Sequence, residues 1–454
     1  MASPAPERKH ILLVTLGAYG HIIPLLELAK KLSPFHDVTF AVSACKTSEL
    51  TTHELLTPSD RVAVYPIPDG MDNKPHDPDD KEAGKQFFIA LTTSFVTLLT
   101  GMPTRTRDGT IKELKPVDVV IVDSFLAAPL PPPVPYYLFN ASNSLFWQFV
   151  LALHDDTPTV AEDDEATARF IRLREPGGPE LPVQLMEKML FLPIKKALPR
   201  VTGVVINSLR DIETGLDAIA ADPNMAGLTV HCVGPLFPEE KPTTDAKNFA
   251  VEEKVAKWLD GKEPESVVYV SFGSLATPTD EQVTILGQAL LELGRPFLWS
   301  LQEKCHKFLP DGLKNELEGR DSLVLPWAPQ KLILAHPSVA VFVSHCGWNS
   351  TLEGLGSGKP FVAWPMFADQ LLNGQWIVKL GAGVLIPETG TKGVRIVPLE
   401  EIHTAINEVG GWKGAVSSYR EASRVWSDKL RDGWSETGSS HKEFMDLIRF
   451  PDAK

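Results

Sequence analysis

The segment from Trp327 to Gln370 carries the densest set of side chains that could act on one ligand. It runs through WAPQ, a stretch of helical period, SHCGWNSTLEGLGSGKP and FVAWPMFADQ. These stretches supply an aromatic face, a histidine before a helix start, a carboxylate inside that helix and an Asp-Gln pair beyond the next strand. An aromatic face can stack on a base, helix N–H groups can bind phosphate, and polar side chains can hold sugar hydroxyls. A nucleotide sugar contains all three of these groups. The segment therefore predicts a nucleotide-sugar site.

The helix start in this segment is predicted to bind phosphate. The strand that ends at Val343 passes through a glycine turn into a helix that contains Asn349 and Ser350. The N–H groups at such a terminus attract anions without any Lys or Arg. The simpler alternative is that Asn349 or Ser350 only caps the helix. Glu353 likewise is either a first-turn carboxylate favoured by the helix dipole or an acceptor for both hydroxyls of a ribose.

The residues at each end of the segment also have two possible roles, one in ligand binding and one in structure. Trp327 follows a predicted strand and a proline, so its ring could stack on a base, or it could be a core or boundary tryptophan. Asp369 and Gln370 also follow a strand. Their carboxylate and amide could hold the hydroxyls of a hexose, or Asp369 could cap the helix that is predicted to begin near Leu371.

A candidate general base lies in the first half of the chain. The turn GAYGH leads from the first predicted strand into the first helix, which places His21 at a helix N-terminus. The positive end of the helix dipole disfavours the imidazolium and helps to keep a neutral base at pH 7. Asp123 follows a strand of the same sheet and is the expected partner of the other ring nitrogen. The pair is typical of general-base catalysis, although His21 alone could be a buried structural histidine.

Two parallel sheets covered by helices are needed to position these residues. Short β-branched runs alternate with longer segments of helical period, which is typical of α/β folds. The first half predicts strands at 10–15, 38–43, 117–122 and 136–140 and a helix at 22–32. The second half predicts strands at 267–272, 297–301, 323–325, 339–343, 361–364 and 384–386 and a helix at 280–294. Ligands bind at the carboxyl ends of strands in such folds, so the site is expected in the cleft between the sheets.

Composition narrows the function classes. The chain has 454 residues, 43% hydrophobic and 22% charged, which predicts a packed globular protein of two or three domains. A net charge of −14 repels phosphate backbones, and nucleic-acid binding is not expected. The apolar runs 11–16 and 87–99 are too short for a secretory signal or a membrane span. Four widely spaced cysteines indicate neither zinc nor disulfides and fit a cytoplasmic location.

Motifs of other nucleotide-binding and hydrolytic classes are missing from the sequence. GAYGH differs from GxGxxG, and Ser43, Ala44 and Cys45 stand where an acidic ribose ligand would follow the second strand. No GxxxxGK(S/T), HExxH or GxSxG is present. P-loop, zinc protease and α/β-hydrolase functions therefore lack their usual support, and no metal site is expected.

The segment from Trp327 to Gln370 resembles the signature of plant-type family 1 UDP-glycosyltransferases. The similarity covers essentially the whole chain and includes GHIIP, INS, VGP, VYVSFGS and ETGSS. It implies an α/β, GT-B fold with two Rossmann-like doubly wound parallel-sheet domains that face each other across a cleft. Residues 1–240 would bind the acceptor, 241–250 would form a polar linker, 251–435 would bind the UDP-sugar, and 436–454 would form a helix that crosses back to the first domain.

The resemblance also assigns roles by position. The residues expected at the uracil and ribose are Trp327, Ala328, Gln330 and Glu353. Those expected at the pyrophosphate are Ser274, His345, Asn349 and Ser350. Those expected at the sugar are Trp348, Asp369 and Gln370, and a glutamine in the last place resembles the glucose-using members. His21 would be the general base and Asp123 its partner.

The acceptor side is predicted from apolar residues and from one departure from the family. The residues expected there are Gly20, Phe88, Phe95, Phe146, Trp147 and Met189, although helical aromatics can equally belong to a core. Family members usually have a full crossover helix after the residue equivalent to Asp123. Here the sequence is SFLAAPLPPPVPYYLF, whose prolines forbid most of that helix. The missing layer is expected to reshape the acceptor side or to lower stability.

The resemblance implies an inverting, metal-independent transfer of glucose from UDP-glucose to a small lipophilic acceptor, such as a flavonoid or another phenolic. The enzyme is expected to be a monomer without a membrane span. A sugar-nucleotide epimerase or hydrolase on the same fold is one alternative. A non-catalytic protein that binds UDP-sugars or small aromatics and an NAD-dependent oxidoreductase are the others.

Overall fold

The computed structural model divides the chain into two compact units. The first comprises Met1–Glu240 and Gly433–Lys454, and the second comprises Lys241–Asp432. The structure describes residues 7–52, 55–70, 90, 93–98, 104–105, 111–112, 114–127, 133–155, 170–172, 180–182, 185–213, 215–238, 246–274, 276–314, 317–319, 321–367, 369–386, 395–412 and 417–452. Within these ranges no helix is long and apolar enough to cross a bilayer.

The described part of the first unit is built on a parallel sheet of seven strands. They are β1 (His10–Val14), β2 (Asp37–Ser43), β3 (Val62–Ile67), β4 (Val119–Asp123), β5 (Tyr136–Asn140), β6 (Gly203–Ile206) and β7 (Thr229–Cys232). Their order across the sheet is β7-β6-β5-β4-β1-β2-β3, with every neighbouring pair parallel. The sequences VVIVD of β4 and YYLFN of β5 are buried throughout, as expected for strands covered on both faces.

Helices cover this sheet. They are α1 (Tyr19–Leu32), α2 (Thr47–Thr52), α3 (Ser144–Ala152), α4 (Leu185–Ala197) and α5 (Leu216–Ala220), and residues 93–98 are also helical. Shorter 3-10 turns lie at Ala44–Lys46, Pro58–Asp60, Ser124–Leu126, Leu198–Arg200, Arg210–Ile212 and Pro223–Met225. Two antiparallel pairs, Thr104–Arg105 with Ile111–Lys112 and Phe170–Arg172 with Glu180–Pro182, lie outside the main sheet.

Helix α1 begins three residues before the predicted start at residue 22, so His21 is its third residue. Ala18 takes the N-cap position in extended conformation, and its carbonyl accepts from the N–H groups of His21 and Ile22. Ile22, Leu25 and Leu32 are completely buried, as the helical period predicted.

The connection between β4 and β5 is the segment in which prolines are predicted to prevent a full crossover helix. Twelve residues, 124–135, join these adjacent parallel strands. Its described part contains the 3-10 turn Ser124–Leu126 and no α-helix, while residues 128–132 lie outside the described ranges. At twelve residues, the connection has about the minimum length of a crossover between parallel strands.

The described part of the second unit is built on a parallel sheet of six strands. They are β8 (Val267–Ser271), β9 (Phe297–Ser300), β10 (Ser322–Leu325), β11 (Val339–Ser344), β12 (Phe361–Ala363) and β13 (Gly383–Leu385). Their order is β10-β9-β8-β11-β12-β13. Every neighbouring pair is parallel, and each predicted strand is present within one or two residues at its ends.

The helices of this unit are α6 (Ala246–Asp260), α7 (Asp280–Leu293), α8 (Asp311–Lys314), α9 (Gln330–Ala335), α10 (Trp348–Gly356), α11 (Gln370–Lys379), α12 (Leu399–Gly410) and α13 (Ser418–Asp432), with a 3-10 segment at Glu303–Phe308. The prediction of a linker as far as residue 250 was wrong at its end, because α6 already includes residues 246–250. From Ala246 onward the sequence is rich in Ala, Lys and Glu, which are strong helix formers.

The strand order of both sheets has one reversal point. In the first unit the order reverses between β1 and β4, and in the second it reverses between β8 and β11. Both sheets thus follow the doubly wound order 3-2-1-4-5-6, and the first continues with one further strand. Ligands of such sheets bind at the carboxyl ends of the strands next to the reversal. A site is therefore expected at the residues that follow β1, β4, β8 and β11.

The chain returns to the first unit at its end. Helix α14 (Ser439–Leu447) packs with Phe444, Leu447 and Ile448 in the apolar core between β1, β2 and α1. The Trp434 indole N–H donates to Pro235 O at 2.9 Å, and the His36 Nε2 donates to Ile448 O at 3.0 Å. Residues 433–454 are thus part of the first unit.

Candidate active site

His21 and Asp123 form a hydrogen-bonded pair in the first unit. His21 Nδ1 lies 2.6 Å from Asp123 Oδ2, and the His21 side chain is 22% exposed while that of Asp123 is 1% exposed. His21 follows β1 in the first turn of α1, and Asp123 is the last residue of β4. Because β1 and β4 are neighbours at the reversal point, their carboxyl ends bring the two side chains together.

This pair can act as a base. A buried carboxylate accepts the proton on Nδ1 of a neutral imidazole, which leaves Nε2 as the ring nitrogen that can take a proton. The second carboxylate oxygen, Oδ1, accepts from the Phe125 backbone N–H at 3.0 Å. Both oxygens of Asp123 are therefore engaged, and the rotation of the carboxylate is fixed.

Phe125 is a site residue that the sequence reasoning missed. Its ring stands edge-on to the His21 ring, with centroids 5.1 Å apart and planes at 86°. It also stacks on Phe146 at 5.9 Å and meets Phe191 at 5.4 Å. An aromatic residue after a buried strand is usually core, so the sequence held only one signal, its spacing of two residues from Asp123.

The residues expected on the acceptor side have different environments. Phe95, Phe146 and Trp147 are at most 1% exposed, which places their side chains in the core of the first unit. Gly20 is the second residue of α1, and a Cβ added there would meet no atom of the described chain within 4 Å. Phe88 lies outside the described residues. Met189 belongs to α4, and its side chain is likewise outside the described part.

Helix α10 in the second unit begins next to the end of β11. Gly347 has extended dihedral angles, φ −57° and ψ 141°, and is the N-cap residue without a side-chain cap. Asn349 and Ser350 are the second and third residues of the helix. The alternative in which either one caps the helix was therefore wrong, because the backbone turns helical at Trp348. The first-turn backbone N–H groups of such a helix can bind an anion.

His345 lies beside this terminus as a neutral group. Burial lowers the pKa of its imidazole from the ordinary 6.5 to about 4. Among the described residues its Nδ1 has no hydrogen-bond partner. Two glycines make room for its Nε2, because a Cβ on Gly273 or Gly347 would lie 2.6 or 2.5 Å from it. Gly273 and the exposed Ser274 follow β8, so the predicted phosphate-side residues gather at the reversal point.

Glu353 is held by the side chain of Gln330, which Tyr269 holds in turn. Gln330 Nε2 donates to Glu353 Oε2 at 2.7 Å and to Ser350 Oγ at 2.9 Å, and Gln330 Oε1 accepts from the Tyr269 hydroxyl at 3.2 Å. Glu353 is the sixth residue of α10, so the first-turn alternative was wrong. Burial raises the pKa of Glu353, while the Gln330 hydrogen bond and the Lys331 charge lower it. Tyr269 lies inside β8 and was missed because a buried strand tyrosine reads as core.

The predicted aromatic platform is exposed. Trp327 follows β10 and keeps 50% of its surface exposed, which excludes a core role. Ala328, next to it, is buried. Trp348, by contrast, is 4% exposed and packs its ring against Trp376 at 5.0 Å.

The Asp-Gln pair after β12 is fixed by hydrogen bonds. Gln370 Oε1 accepts from the backbone N–H groups of Met366 and Phe367 at 2.8 and 3.0 Å, which leaves its amide nitrogen as the remaining donor group. Asp369 is the N-cap residue of α11, but its side chain makes no cap hydrogen bond. Its oxygen Oδ2 accepts instead from Asn373 Nδ2 at 3.1 Å. The capping alternative for Asp369 was therefore wrong, because φ −74° and ψ 0° are already helical.

Known proteins match the chain in both sequence and structure. A family model described as "UDP-glucoronosyl and UDP-glucosyl transferase" matches residues 245–409. UDP-glycosyltransferase 72B2 of Arabidopsis thaliana is 30% identical over 87% of this chain and 86% of its own length. Scopoletin glucosyltransferase of Nicotiana tabacum is 28% identical over 97% of each chain.

A solved structure is similar to this chain over nearly its whole length. UGT71G1 of Medicago truncatula, crystallised with UDP-glucose, is 23% identical and superimposes with a TM-score of 0.79 over 97% of this chain and 98% of that chain. This likeness confirms the predicted α/β fold of the GT-B class. The long match to the Arabidopsis thaliana relative, together with the family model, confirms the resemblance drawn from the motifs. The chain belongs to the plant family 1 UDP-glycosyltransferases.

Proposed function

We propose that this enzyme transfers glucose from UDP-glucose to the hydroxyl group of a small, lipophilic, phenolic acceptor and forms a β-glucoside. The observation that carries the proposal is the 2.6 Å hydrogen bond between His21 Nδ1 and the buried Asp123 carboxylate. The names of the relatives support the substrates, since one is a scopoletin glucosyltransferase and scopoletin is a phenol, and the solved relative was crystallised with UDP-glucose.

His21 would remove the acceptor proton through Nε2. The acceptor oxygen then attacks the anomeric carbon from the face opposite UDP, the new C–O bond forms, and the bond to the UDP oxygen breaks with its electron pair on UDP. The resulting imidazolium has a carboxylate at Nδ1, which stabilises its charge. A positioned base of this kind contributes about 10² to 10⁴ in rate.

The second unit would bind the donor through the residues predicted from the sequence. Trp327 has the exposed ring face that uracil needs, and Glu353 and Gln330 form the polar pair proposed for the ribose. The N–H groups at the start of α10, together with Asn349, Ser350 and Ser274, would hold the pyrophosphate. Asp369 and Gln370 would hold the hexose, with Trp348 behind them. Backbone dipoles would then stabilise the charge on departing UDP, and the transfer is expected to proceed in EDTA.

A product assay tests this proposal directly. The full chain is incubated with UDP-glucose, UDP-galactose or UDP-xylose and a pool of phenolic acceptors, and mass spectrometry detects an added hexose or pentose. We expect a hexose on one or more phenols with UDP-glucose. UDP-glucose consumed without acceptor would instead support an epimerase or hydrolase. Binding of UDP-glucose without any turnover would support the non-catalytic alternative, and thermal stabilisation by NAD rather than by UDP would support the oxidoreductase.

Substitution of the base separates chemistry from binding. His21→Ala should lower kcat by about 10² to 10⁴, because the proton acceptor is lost, while the Kd for UDP measured by calorimetry stays within about twofold. His10→Ala is the matched control. Both ring nitrogens of His10 are engaged with Pro116 O and Thr39 Oγ1, so its loss should leave kcat within about twofold. An unchanged kcat in His21→Ala, or equal losses of kcat and UDP affinity, would remove the base role.

A further inference from the structure

We propose that Asn373 is a positioning residue that fixes the Asp369 carboxylate relative to the turn before α10. The inference rests on the proposed function, in which Asp369 meets the hexose and the start of α10 meets the pyrophosphate. Asn373 itself needs no contact with the donor. Its effect would pass through the two groups that it holds.

One buried amide joins the two segments. Asn373 Nδ2 donates to Asp369 Oδ2 at 3.1 Å and to the backbone carbonyl of Cys346 at 2.9 Å. The Asn373 side chain is completely buried. A buried amide group with two acceptors on one nitrogen has little rotational freedom, since each rotation would cost the buried Cys346 carbonyl or the partly buried Asp369 carboxylate a hydrogen bond.

The Cys346 end of this link lies in a constrained turn. Cys346 has φ +61°, in the left-handed region that a residue other than glycine rarely adopts. Its N–H donates to Ser344 Oγ at 3.1 Å, and the next residue, Gly347, is the N-cap of α10. The hydrogen bond from Asn373 therefore holds the carbonyl of the turn that determines where α10 begins.

The Asp369 end of this link lies one helical turn before Asn373. Asn373 follows Asp369, the N-cap residue of α11, by four positions, and its N–H also donates to Asp369 O at 3.0 Å. With Oδ2 held by Asn373, the orientation of the whole carboxylate, including Oδ1, is set. Gln370 is fixed differently, because its Oε1 accepts from the backbone N–H groups of Met366 and Phe367 in the preceding loop.

The geometry of the donor explains why such a link would matter. In UDP-glucose the hexose is joined covalently to the diphosphate, so the groups that hold each part must keep a constant separation. UDP lacks the hexose and would use only the α10 side of the link. Loss of Asn373 should therefore weaken the binding of UDP-glucose more than the binding of UDP. A general loss of structure would weaken the binding of both ligands equally.

Calorimetry with UDP and UDP-glucose on the full chain tests this inference. Asn373→Ala should raise the Kd for UDP-glucose about tenfold and the Kd for UDP at most about threefold, because a hydrogen bond to a charged group is lost on the sugar side. Asn373→Ser, whose side chain is too short to reach both acceptors, should show the same change in the ratio of the two Kd values. It also serves as the test variant if Asn373→Ala does not fold.

A double-mutant cycle shows whether the effect passes through Asp369. Asp369→Asn should itself change the ratio, and adding Asn373→Ser to it should change the ratio no further. An additive effect would overturn the positioning role, and so would a parallel rise of both Kd values in the Asn373 variants.

Gln282→Ala is the matched control. Gln282 is also a buried amide of the second unit, and it bridges the backbone of Val397 through Nε2 at 3.2 Å and Oε1 at 2.7 Å. Its truncation should lower the midpoint of thermal unfolding but leave the ratio of the Kd values unchanged. If the wild-type chain binds neither UDP nor UDP-glucose, the proposed function fails. If it binds and transfers glucose while the Asn373 variants keep the wild-type ratio, the present inference alone fails.

Discussion

Burial keeps His345 neutral next to the proposed phosphate site. Its pKa falls to about 4, and among the described residues its Nδ1 has no partner. At pH 7 the imidazole therefore adds no positive charge to the start of α10. Any charge complementarity for a diphosphate at this point must come from the helix N–H groups, which fits a chain whose net charge is −14.

The lowered pKa of His345 predicts a pH-dependent stability of the second unit. The unfolded chain binds a proton at His345 below pH 6.5, whereas the folded chain binds it only near pH 4. The stabilisation is thus complete above pH 6.5 and is lost as the pH falls from 6.5 toward 4. Thermal unfolding between pH 7.5 and 5 should show a steeper loss of stability in the wild type than in His345→Asn. Equal slopes in the two proteins would contradict this assignment.

Residue types and strand ends predicted His21 and Asp123 as a pair and the family resemblance supplied the full donor-side set, but neither gave the contacts among these residues. The pairing of His21 with Asp123 depends on β1 and β4 being neighbours, although about a hundred residues separate them. Phe125 and Tyr269 were missed because aromatic residues in or beside buried strands usually read as core. Asn373 could have been found, since its spacing of four residues from Asp369 puts both on one helix face.

At the scale of elements, the loop after β8 depends on a glycine. Gly273 has φ +75°, and a Cβ there would lie 2.6 Å from His345 Nε2. Gly294 is also in the left-handed region, with φ +63° at the end of α7, but a Cβ there would meet nothing within 4 Å. The two glycines therefore share a backbone requirement and differ in their surroundings.

Substitution of the two glycines by alanine should therefore have different effects. Gly294→Ala should cost about 1 to 2 kcal/mol of unfolding free energy through its backbone conformation alone and leave the Kd for UDP unchanged. Gly273→Ala should carry the same backbone cost and in addition displace His345 or the loop after β8. We expect calorimetry to show a Kd for UDP raised about tenfold or more in Gly273→Ala. Similar UDP affinities in the two variants would argue against a role of this loop in binding.

The starts of α10 and α11 show what sequence patterns leave undetermined at this scale. Ser, Asn and Asp near a helix start indicate a cap, yet the dihedral angles decide which residue takes that position. Gly347 is extended and becomes the N-cap of α10, so Asn349 and Ser350 enter the first turn. Asp369 takes the N-cap position of α11 in a helical conformation, and its side chain contacts Asn373 instead.

At the scale of the molecule, alternating strands and helices predicted two doubly wound sheets, and the strand orders confirm that fold class. The sequence could not provide the strand orders themselves, because parallel strands that are adjacent in space are distant in the chain. The family resemblance, and no pattern in the residues, predicted that residues 436–454 return to the first domain, and the structure assigns residues 433–454 to the first unit. This attachment depends on apolar contacts such as those of Phe444, which is 5% exposed.

The attachment of α14 predicts which unit a mutation in it destabilises. Phe444→Ala removes a ring from the core of the first unit and should cost about 3 to 5 kcal/mol of unfolding free energy there. Lys442→Ala, at an exposed position of the same helix, should change stability by about 0.5 kcal/mol or less. Calorimetric unfolding should show the transition of the first unit shifted in Phe444→Ala and that of the second unit unmoved. A shift of the second transition alone would contradict the assignment.

The return of residues 433–454 to the first unit also affects the order in which the protein can be made. A ribosome delivers residues 241–432 before the piece that completes the core around α1 and β2. During synthesis the second unit can reach its native packing while the first still exposes the apolar surface that Phe444 and Ile448 later cover. The half of the enzyme that is translated first is thus the half that matures last.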